Sequence, residues 1–464
     1  MIEIQGLRLA PGQREQKLPA LAARRLRLKP QEILDWKILK KSLDARKKSD
    51  IHWRYTLAVS VADEARVLAH CGGRDMKVYA PFCYKIPHVT AGKRPVVVGF
   101  GPAGMFAALV LAEAGLRPIV LERGRDIDRR RADVAAFWET GRLSPESNVQ
   151  FGEGGAGTFS DGKLATGTHD PRIGWVLERF HAFGAPASVC YDAKPHVGTD
   201  VLTGVVKRLR QCILDLGGEV RFGHRLCALH MAQGRLTGAA VETVEGTGYD
   251  LDCDQLLLAI GHSARDTFEL LRDLGVAMEP KAFAMGARIE HRQQRISLAQ
   301  YGDGHAALPP ADYKLAVHLP EGDDVFSFCM CPGGYVVAAA SEDGGVVTNG
   351  MSYSGRAGDN ANAALLVGLR PADFPAGDVL SGMVWQREIE QACFAPGGDY
   401  RAPAQRLGDF LAHRPSTGPG AVRTASGSSK PRSFCPSNGR ARSSAPVIRA
   451  GRTSCRSHQT TPGR

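Results

Sequence analysis

The chain has 464 residues, 43% of them hydrophobic, which is room for two or three domains and a sizeable core. No uninterrupted apolar run approaches the ~18 residues of a membrane span, and Glu3 in the opening "MIEIQGLRLA" speaks against a secretory signal. Eleven cysteines with no CxxC pair give no reason to expect a disulfide framework or a metal site, so the cytoplasm is the expected compartment.

The net charge of +11 averages over unlike segments. Residues 1–94 hold 20 basic and 9 acidic groups, residues 415–464 hold 9 basic and no acidic ones, and the body between them carries 30 against 39. The first segment reads as a small basic α/β domain. An edge-type strand with Ile2, Ile4 and Leu7 precedes a helix in "KLPALAARRLRL", and after Pro30 the chain leads into the alternating strand "IHWRYTLAVSV". Its cluster of Lys40, Lys41, Arg46, Lys47 and Lys48 offers phosphate contacts. Without interleaved aromatics, a solvated basic surface is the expected role and nucleic-acid binding the alternative.

From Pro95 the texture changes. "PVVVGFG" reads as a buried strand, "PAGMFAALVLAEAG" as an apolar helix stopped by Gly115, and "RPIVLERG" as a second strand. A glycine-rich loop, "FGEGGAGTFSDGKL", follows, then a helix over 199–216, the strand "EVRFG", and a meander of "RLCALHMA", "LTGAAVET" and "YDLDC". "DQLLLAIG" closes the module as another buried strand. Residues 281 to about 400 form a strand-rich region, with helical patterns expected at 360–369 and 380–394.

Gly99, Gly101 and Gly104 spell GxGxxG between a strand and a helix, which is the context a dinucleotide turn requires. Gly99 suits the tight turn, Gly101 lets backbone approach a pyrophosphate, and Gly104 lets the helix pack closely, with Pro102 and Ala103 at the helix start. Glu122, followed by Arg123, ends the second strand where an acid bonds a ribose hydroxyl. Gly152, Gly154 and Gly157 match the same spelling, but no buried strand precedes them and no apolar helix follows. That run reads as a loop meeting a cofactor from outside, its amides joined by Ser160 and Lys163.

"VVVGFGPAGMFAALVLAEAGLRPIVLERG", "NVQFGEGGAGTFSDGKL", "LLLAIGHSARDTFE", "FCMCPGG" and "TNGMS" resemble the bacterial FAD-dependent dehydrogenases, the NAD(P)/FAD-dependent oxidoreductases with a basic N-terminal domain. The resemblance runs to about residue 413. It implies FAD as the resident dinucleotide, its adenosine near Gly99 to Glu122. It also implies that Gly155, Ala156, Gly157, Gly162 and Lys163 on one loop, and Ala259, Gly261 and Ser263 on another, border the flavin side.

Candidates for chemistry follow. His262 and Ser263 come after a strand end, where α/β ligands bind; His262 is either a donor to the cofactor or a structural histidine. Cys329 and Cys331 share one strand face, and their thiolates would exchange electrons with a flavin if close to it; packing as small buried hydrophobes is the commoner role and the expected one. Arg288, Arg356, Arg401 and Arg406 are candidate clamps for an anionic substrate, with ordinary surface arginine the commoner role for each.

From Pro415 the chain holds 10 Ser, 8 Arg, 6 Pro and 6 Gly with no Asp, Glu or Leu. Such composition cannot build a core, and it reads as an unstructured basic tail from a shifted reading frame, replacing the C-terminal segment of relatives. A native basic tail is the alternative. The whole is expected to be a split Rossmann-like FAD-binding domain with an inserted β-meander (95–280), a strand-rich α+β substrate domain (281–412), the α/β domain (1–94) and the tail (413–464). Its expected function is FAD-dependent oxidoreduction of a small molecule, with NAD(P)H as a candidate donor. A flavin-dependent RNA-modifying enzyme and an inactive truncated relative are the alternatives.

Overall fold

The structure is a computed structural model that describes residues 1–417 apart from 321 and 323, together with 432 and 433. Residues 1–94 contain β1 (Ile2–Leu9), α1 (Leu18–Arg25), β2 (Asp35–Asp44), β3 (His52–Ser60), α2 (Glu64–Cys71) and β4 (Met76–Val78). The sheet runs β2-β3-β1-β4 and every pair is antiparallel. This corrects the α/β expectation to α+β, because no helical crossover joins the paired strands. Ile2, Ile4, Leu18, Leu26 and Leu57 fill its core.

The second unit comprises β5 (Val96–Val98), α3 (Pro102–Glu113), β6 (Ile119–Glu122), α4 (Ile127–Thr140), α5 (Ile173–Ala182), α6 (Thr199–Asp215) and β7 (Glu219–Phe222). The meander β8 (His224–Ala232), β9 (Arg235–Thr243) and β10 (Gly248–Asp252) follows, then β11 (Leu256–Leu258) and α7 (Arg265–Asp273). The parallel order β11-β5-β6-β7 places β11 and β6 on opposite sides of β5. The chain reverses direction across the sheet there, so a crevice opens at the carboxyl end of β5. Helix α3 is apolar because it is buried, with Met105, Ala108, Leu109 and Ala112 sealed against α6 residues Val205, Val206 and Leu209. β11 was expected to be buried but forms the sheet edge, with Leu257 44% and Leu258 39% exposed.

The third unit comprises β12 (Phe283–Arg292), α8 (Gln293–Tyr301), β13 (Ala316–His318), β14 (Asp324–Cys331), β15 (Tyr335–Ala339), β16 (Val347–Met351), β17 (Asn360–Leu369), α9 (Ser381–Phe394), β18 (Pro403–Ala404) and α10 (Leu407–Leu411). The helix expected at 360–369 is strand β17. The Ala- and Leu-rich "NANAALLVGL" favours a helix locally, but β17 is paired on both sides, by β12 over ten residues and by β14. Two ladders outweigh a propensity of a few tenths of a kcal/mol per residue.

Part of the expected tail is ordered. Ser416 donates to Asp409 at 2.7 Å, Arg414 pairs with Asp409 at 2.7 Å, and β19 (Arg432–Ser433) runs parallel to β18. The remainder of the tail from residue 418 lies outside the described residues, as does the shifted-frame expectation that rests on it. Among the described residues, no helix is long and apolar enough to cross a membrane, and no His, Cys, Asp and Glu group is placed to hold a metal ion.

The central pairing of β17 is tight at Gly286 of β12, where an added Cβ would lie 1.9 Å from the Leu365 carbonyl oxygen. Gly286→Ala is expected to push the two strands apart and cost about 1–3 kcal/mol, the usual range for overpacking. A melting temperature equal to that of the parent chain would show that the strands do not approach this closely.

Candidate functional site

The crevice at the end of β5 is a cleft of about 530 Å³. Its floor is the first glycine turn. Gly99 has φ +98°, and a Cβ on it would collide with the Ala259 carbonyl oxygen at 2.4 Å. A Cβ on Gly104 would lie 1.9 Å from the Gly99 carbonyl oxygen, so this glycine lets α3 start against the turn. Gly101 differs: its φ is −76° and a Cβ would meet only the Gly155 Cα, at 3.7 Å. It lines the cleft with Pro102 and Ala103 at the start of α3, where the first-turn N–H groups lack intrahelical acceptors and the helix dipole favours an anion.

The second glycine run forms the wall, as a loop packed on the first turn. A Cβ on Gly155 would stand 2.9 Å from the Gly101 Cα, and Gly154 N donates to the Phe100 carbonyl at 2.9 Å. Gly155, Ala156 and Gly157 face the cleft. Nothing local to this loop foretells what holds it. Arg130 of α4 is completely buried, and its guanidinium donates to the carbonyls of Asn148, Val149, Gly152, Glu153 and Gly155 at 2.6–3.2 Å. Burial pulls its pKa down to about 10 while Glu122 and Glu153 oppose the shift, so it stays cationic at neutral pH. Burial in turn pushes the Glu153 carboxyl up, countered by the Ile127 N–H and Arg210.

Glu122 borders the cleft, but three backbone donors occupy its carboxylate: Phe100 N at 2.7 Å, Gly124 N at 2.9 Å and Gly152 N at 3.0 Å. It ties both glycine loops to the end of β6. Arg123 stacks on Phe151 at 4.4 Å and forms ion pairs with Glu146 and Asp266 at 2.6 and 2.9 Å. Burial opposes its charge, yet the two carboxylates hold its pKa above the ordinary value.

The opposite rim follows β11. Ala259, Gly261, His262 and Ser263 all line the cleft. His262 is exposed and 3.2 Å from the Ser263 hydroxyl, which in turn accepts from Ser341 at 3.3 Å. His224 and Arg225, at the start of the meander, also line the cleft. Sequence reasoning missed them because they carry no motif; only the sheet brings them there.

Five expected site residues, Ser160, Gly162, Lys163, Cys329 and Cys331, lie outside this cleft. The loop turns away after Gly157, and Ser160, Gly162 and Lys163 run along a polar seam between the second and third units. Gly162 packs on Gly198, where a Cβ would meet Gly198 N at 2.7 Å. Asp161, 1% exposed, accepts from Ser352 and pairs with Lys163 at 2.7 Å and Arg356 at 3.1 Å. His196 stands 3.3 Å from the Ser352 hydroxyl. Burial, reinforced by Arg356, pushes its pKa down to about 4, so it is neutral at pH 7. Cys329 and Cys331 border the same seam, as does Arg288, which donates to the Asn362 side chain. Of the candidate clamps, Arg288 and Arg356 belong here. Arg401 is an exposed partner of Asp399 at 2.7 Å, and Arg406 is exposed as well.

A family model described as "FAD-dependent protein, C-terminal domain-like" matches residues 282–433, and a domain of unknown function matches residues 1–60. The chain is 48% identical over 410 residues to an uncharacterized protein of Clostridium beijerinckii, covering 86% of this chain and 75% of that one. Solved structures with similarity include Thermovibrio ammonificans THI4, at 17% identity and a TM-score of 0.29 over 41% of this chain and 66% of that one. Glycerol-3-phosphate dehydrogenase from Bacillus halodurans, complexed with FAD, matches at 10% identity and a TM-score of 0.30 over 67% and 53%. The chain thus spans about half to two thirds of those two solved chains, and similarity at this level carries no argument about the site.

Arg130→Met leaves five inward carbonyls without their donor and the buried Glu122 without the neighbouring cation, Glu153 keeping Arg210 at 3.0 Å, so it is expected to cost about 3–5 kcal/mol and to open residues 148–155 to protease. Resistance of that loop equal to the parent's would show that Arg130 is dispensable. The His196 pKa lies below its unfolded value of about 6.5, so the unfolded chain binds a proton that the native chain does not. Stability is therefore expected to fall as pH drops from about 6.5 toward 4, by about 3 kcal/mol at the limit. His196→Gln should flatten this stretch of a stability–pH curve, and an unchanged slope would place the acid sensitivity in other groups.

Proposed function

This chain belongs to the family of the Clostridium beijerinckii protein and carries the C-terminal domain of FAD-dependent proteins, and on that premise we propose that it is an FAD-dependent oxidoreductase, a dehydrogenase of a small molecule. Bound FAD supplies two-electron transfer. The residues present fit that cofactor. Gly101 and the first turn of α3 would receive the pyrophosphate, Arg123 and Arg225 border the Glu122 end, and Gly155 to Gly157 with Gly261 to Ser263 border the other.

Gly101 carries the reading. The fold itself requires glycine at Gly99 and Gly104, by φ and by collision, but it makes no such demand at Gly101, where φ is ordinary and a Cβ has room. A glycine that the chain does not need is accounted for by a ligand that approaches its backbone.

The second glycine run packs against the first, so it offers no separate dinucleotide fold. In this proposal a nicotinamide dinucleotide exchanges freely, as electron donor when the substrate is reduced and as acceptor when it is oxidised. The seam residues Arg288 and Arg356 are the candidate anchors for an anionic group on the substrate.

Gly101→Val is expected to leave the melting temperature of the apo chain nearly unchanged and to weaken FAD by about 3 kcal/mol, roughly a hundredfold. Titration with FAD, followed by flavin fluorescence, reads this directly. Equal affinity in the folded variant, or a parent chain that takes up no FAD, would remove the basis of the proposal.

A further inference from the structure

The seam holds a second chemical feature that the cofactor cleft does not use. Along a regular strand two residues advance about 7 Å, which keeps the sulfurs of a CxC pair apart. In β14 the register against β17 shifts between the pairs Phe328↔Ala364 and Cys331↔Asn362, so three steps on one strand face two on the other. This bulge sets Cys329 at φ +46°, a left-handed conformation that few residues other than glycine adopt. Its consequence is that the two Sγ atoms stand 3.8 Å apart.

Charge around the pair is net positive. Lys163 Nζ is 3.8 Å from Cys331 Sγ, and the Arg288 guanidinium donates to the Cys329 carbonyl at 3.4 Å. Asp161 is the nearby acid, and Lys163, Arg356 and Ser352 already share it. The neighbouring His196 adds no charge at neutral pH. The Cys331 S–H, with Lys163 and Arg288, holds the Cys329 thiol well below its ordinary pKa, while the neighbouring thiolate and burial push Cys331 up. Burial shifts the thiols of Cys190, Cys212, Cys227, Cys253 and Cys393 the opposite way from Cys329. Cys329 is half-buried and Cys331 fully buried, so one is placed to meet a reagent and the other only its neighbour.

We propose that Cys329 and Cys331 form a reversible dithiol–disulfide couple that is oxidised by small-molecule disulfides of the glutathione class. The Cys329 thiolate attacks one sulfur of the disulfide, whose S–S bond breaks and releases one thiolate. Cys331 then loses its proton and attacks Cys329 Sγ, expelling the second thiolate. Two protein thiols and one disulfide become one protein disulfide and two small thiols, with two electrons transferred. Lys163 favours the thiolate at each stage by its charge. This rests on the seam alone, so it stands or falls independently of FAD.

The experiment uses the full chain, incubated with oxidised glutathione, then alkylated, digested with trypsin and weighed. Peptide 315–356 contains these two cysteines and no others. It is expected to be lighter by two hydrogens and unalkylated, and dithiothreitol should restore two alkylatable thiols. Cys331→Ser should stop at a glutathione adduct on Cys329, whereas Cys329→Ser should leave Cys331 unmodified. Lys163→Met should move the midpoint of the Cys329 alkylation-rate–pH profile up by about one unit, a loss of about tenfold in rate only at pH values below both midpoints. Two alkylatable thiols after oxidation of the native chain, a disulfide that forms only after unfolding, or a Cys331→Ser chain without adduct would each overturn the proposal.

Discussion

A single buried cation organises the region on which everything else depends. Arg130 has no contact with solvent, and five backbone carbonyls of residues 148–155 converge on it. A glycine-rich segment has little side-chain surface with which to define its own path. Here the definition comes from hydrogen bonds to a charged donor, which are stronger than those between neutral groups. Glu122 and Glu153 balance the charge, and each also accepts backbone N–H groups, so the ions and the loop hold one another.

That loop then serves two places in succession. Its first half, Gly155 to Gly157, is a wall of the cleft, and its second half, Asp161 to Lys163, lies in the seam against the third unit. A short 3₁₀ turn over Ala156–Phe159 is all that separates them. The seam is further pinned from the other rim: Arg265 of α7, 3% exposed, pairs with Glu390 of α9 and with Glu342 at 2.7 and 2.6 Å. Cleft and seam are thus fixed to a common frame, and displacement of the loop at one would be felt at the other.

Local rules were readable and nonlocal ones were not. The strand–turn–helix at Val96–Glu113 follows from spacing, because apolar runs and glycine collisions act within a few residues of one another. Strand β17 was misread as a helix because its composition speaks for one conformation and its two pairing partners impose another. The role of Glu122 was half legible: its place at a strand end is local, but Gly152 N, one of its donors, is thirty residues away. Arg130 and His196 carry no motif, and Asp161 sits within the glycine-rich run without a role assigned to it there; their burial is what makes them matter.

From its order of residues alone, the chain determined a dinucleotide-type turn, the β-meander beside it and a CxC pair on a strand, since each depends on periodicity or on spacing between near neighbours. Only the tertiary structure decided that the two glycine runs pack face to face and that Glu122 spends its oxygens on backbone amides. It also decided that a bulge brings Cys329 and Cys331 together beside Lys163. Those outcomes depend on groups far apart in sequence, whose meeting is set by sheet order and by the burial of charge rather than by any local preference of the chain.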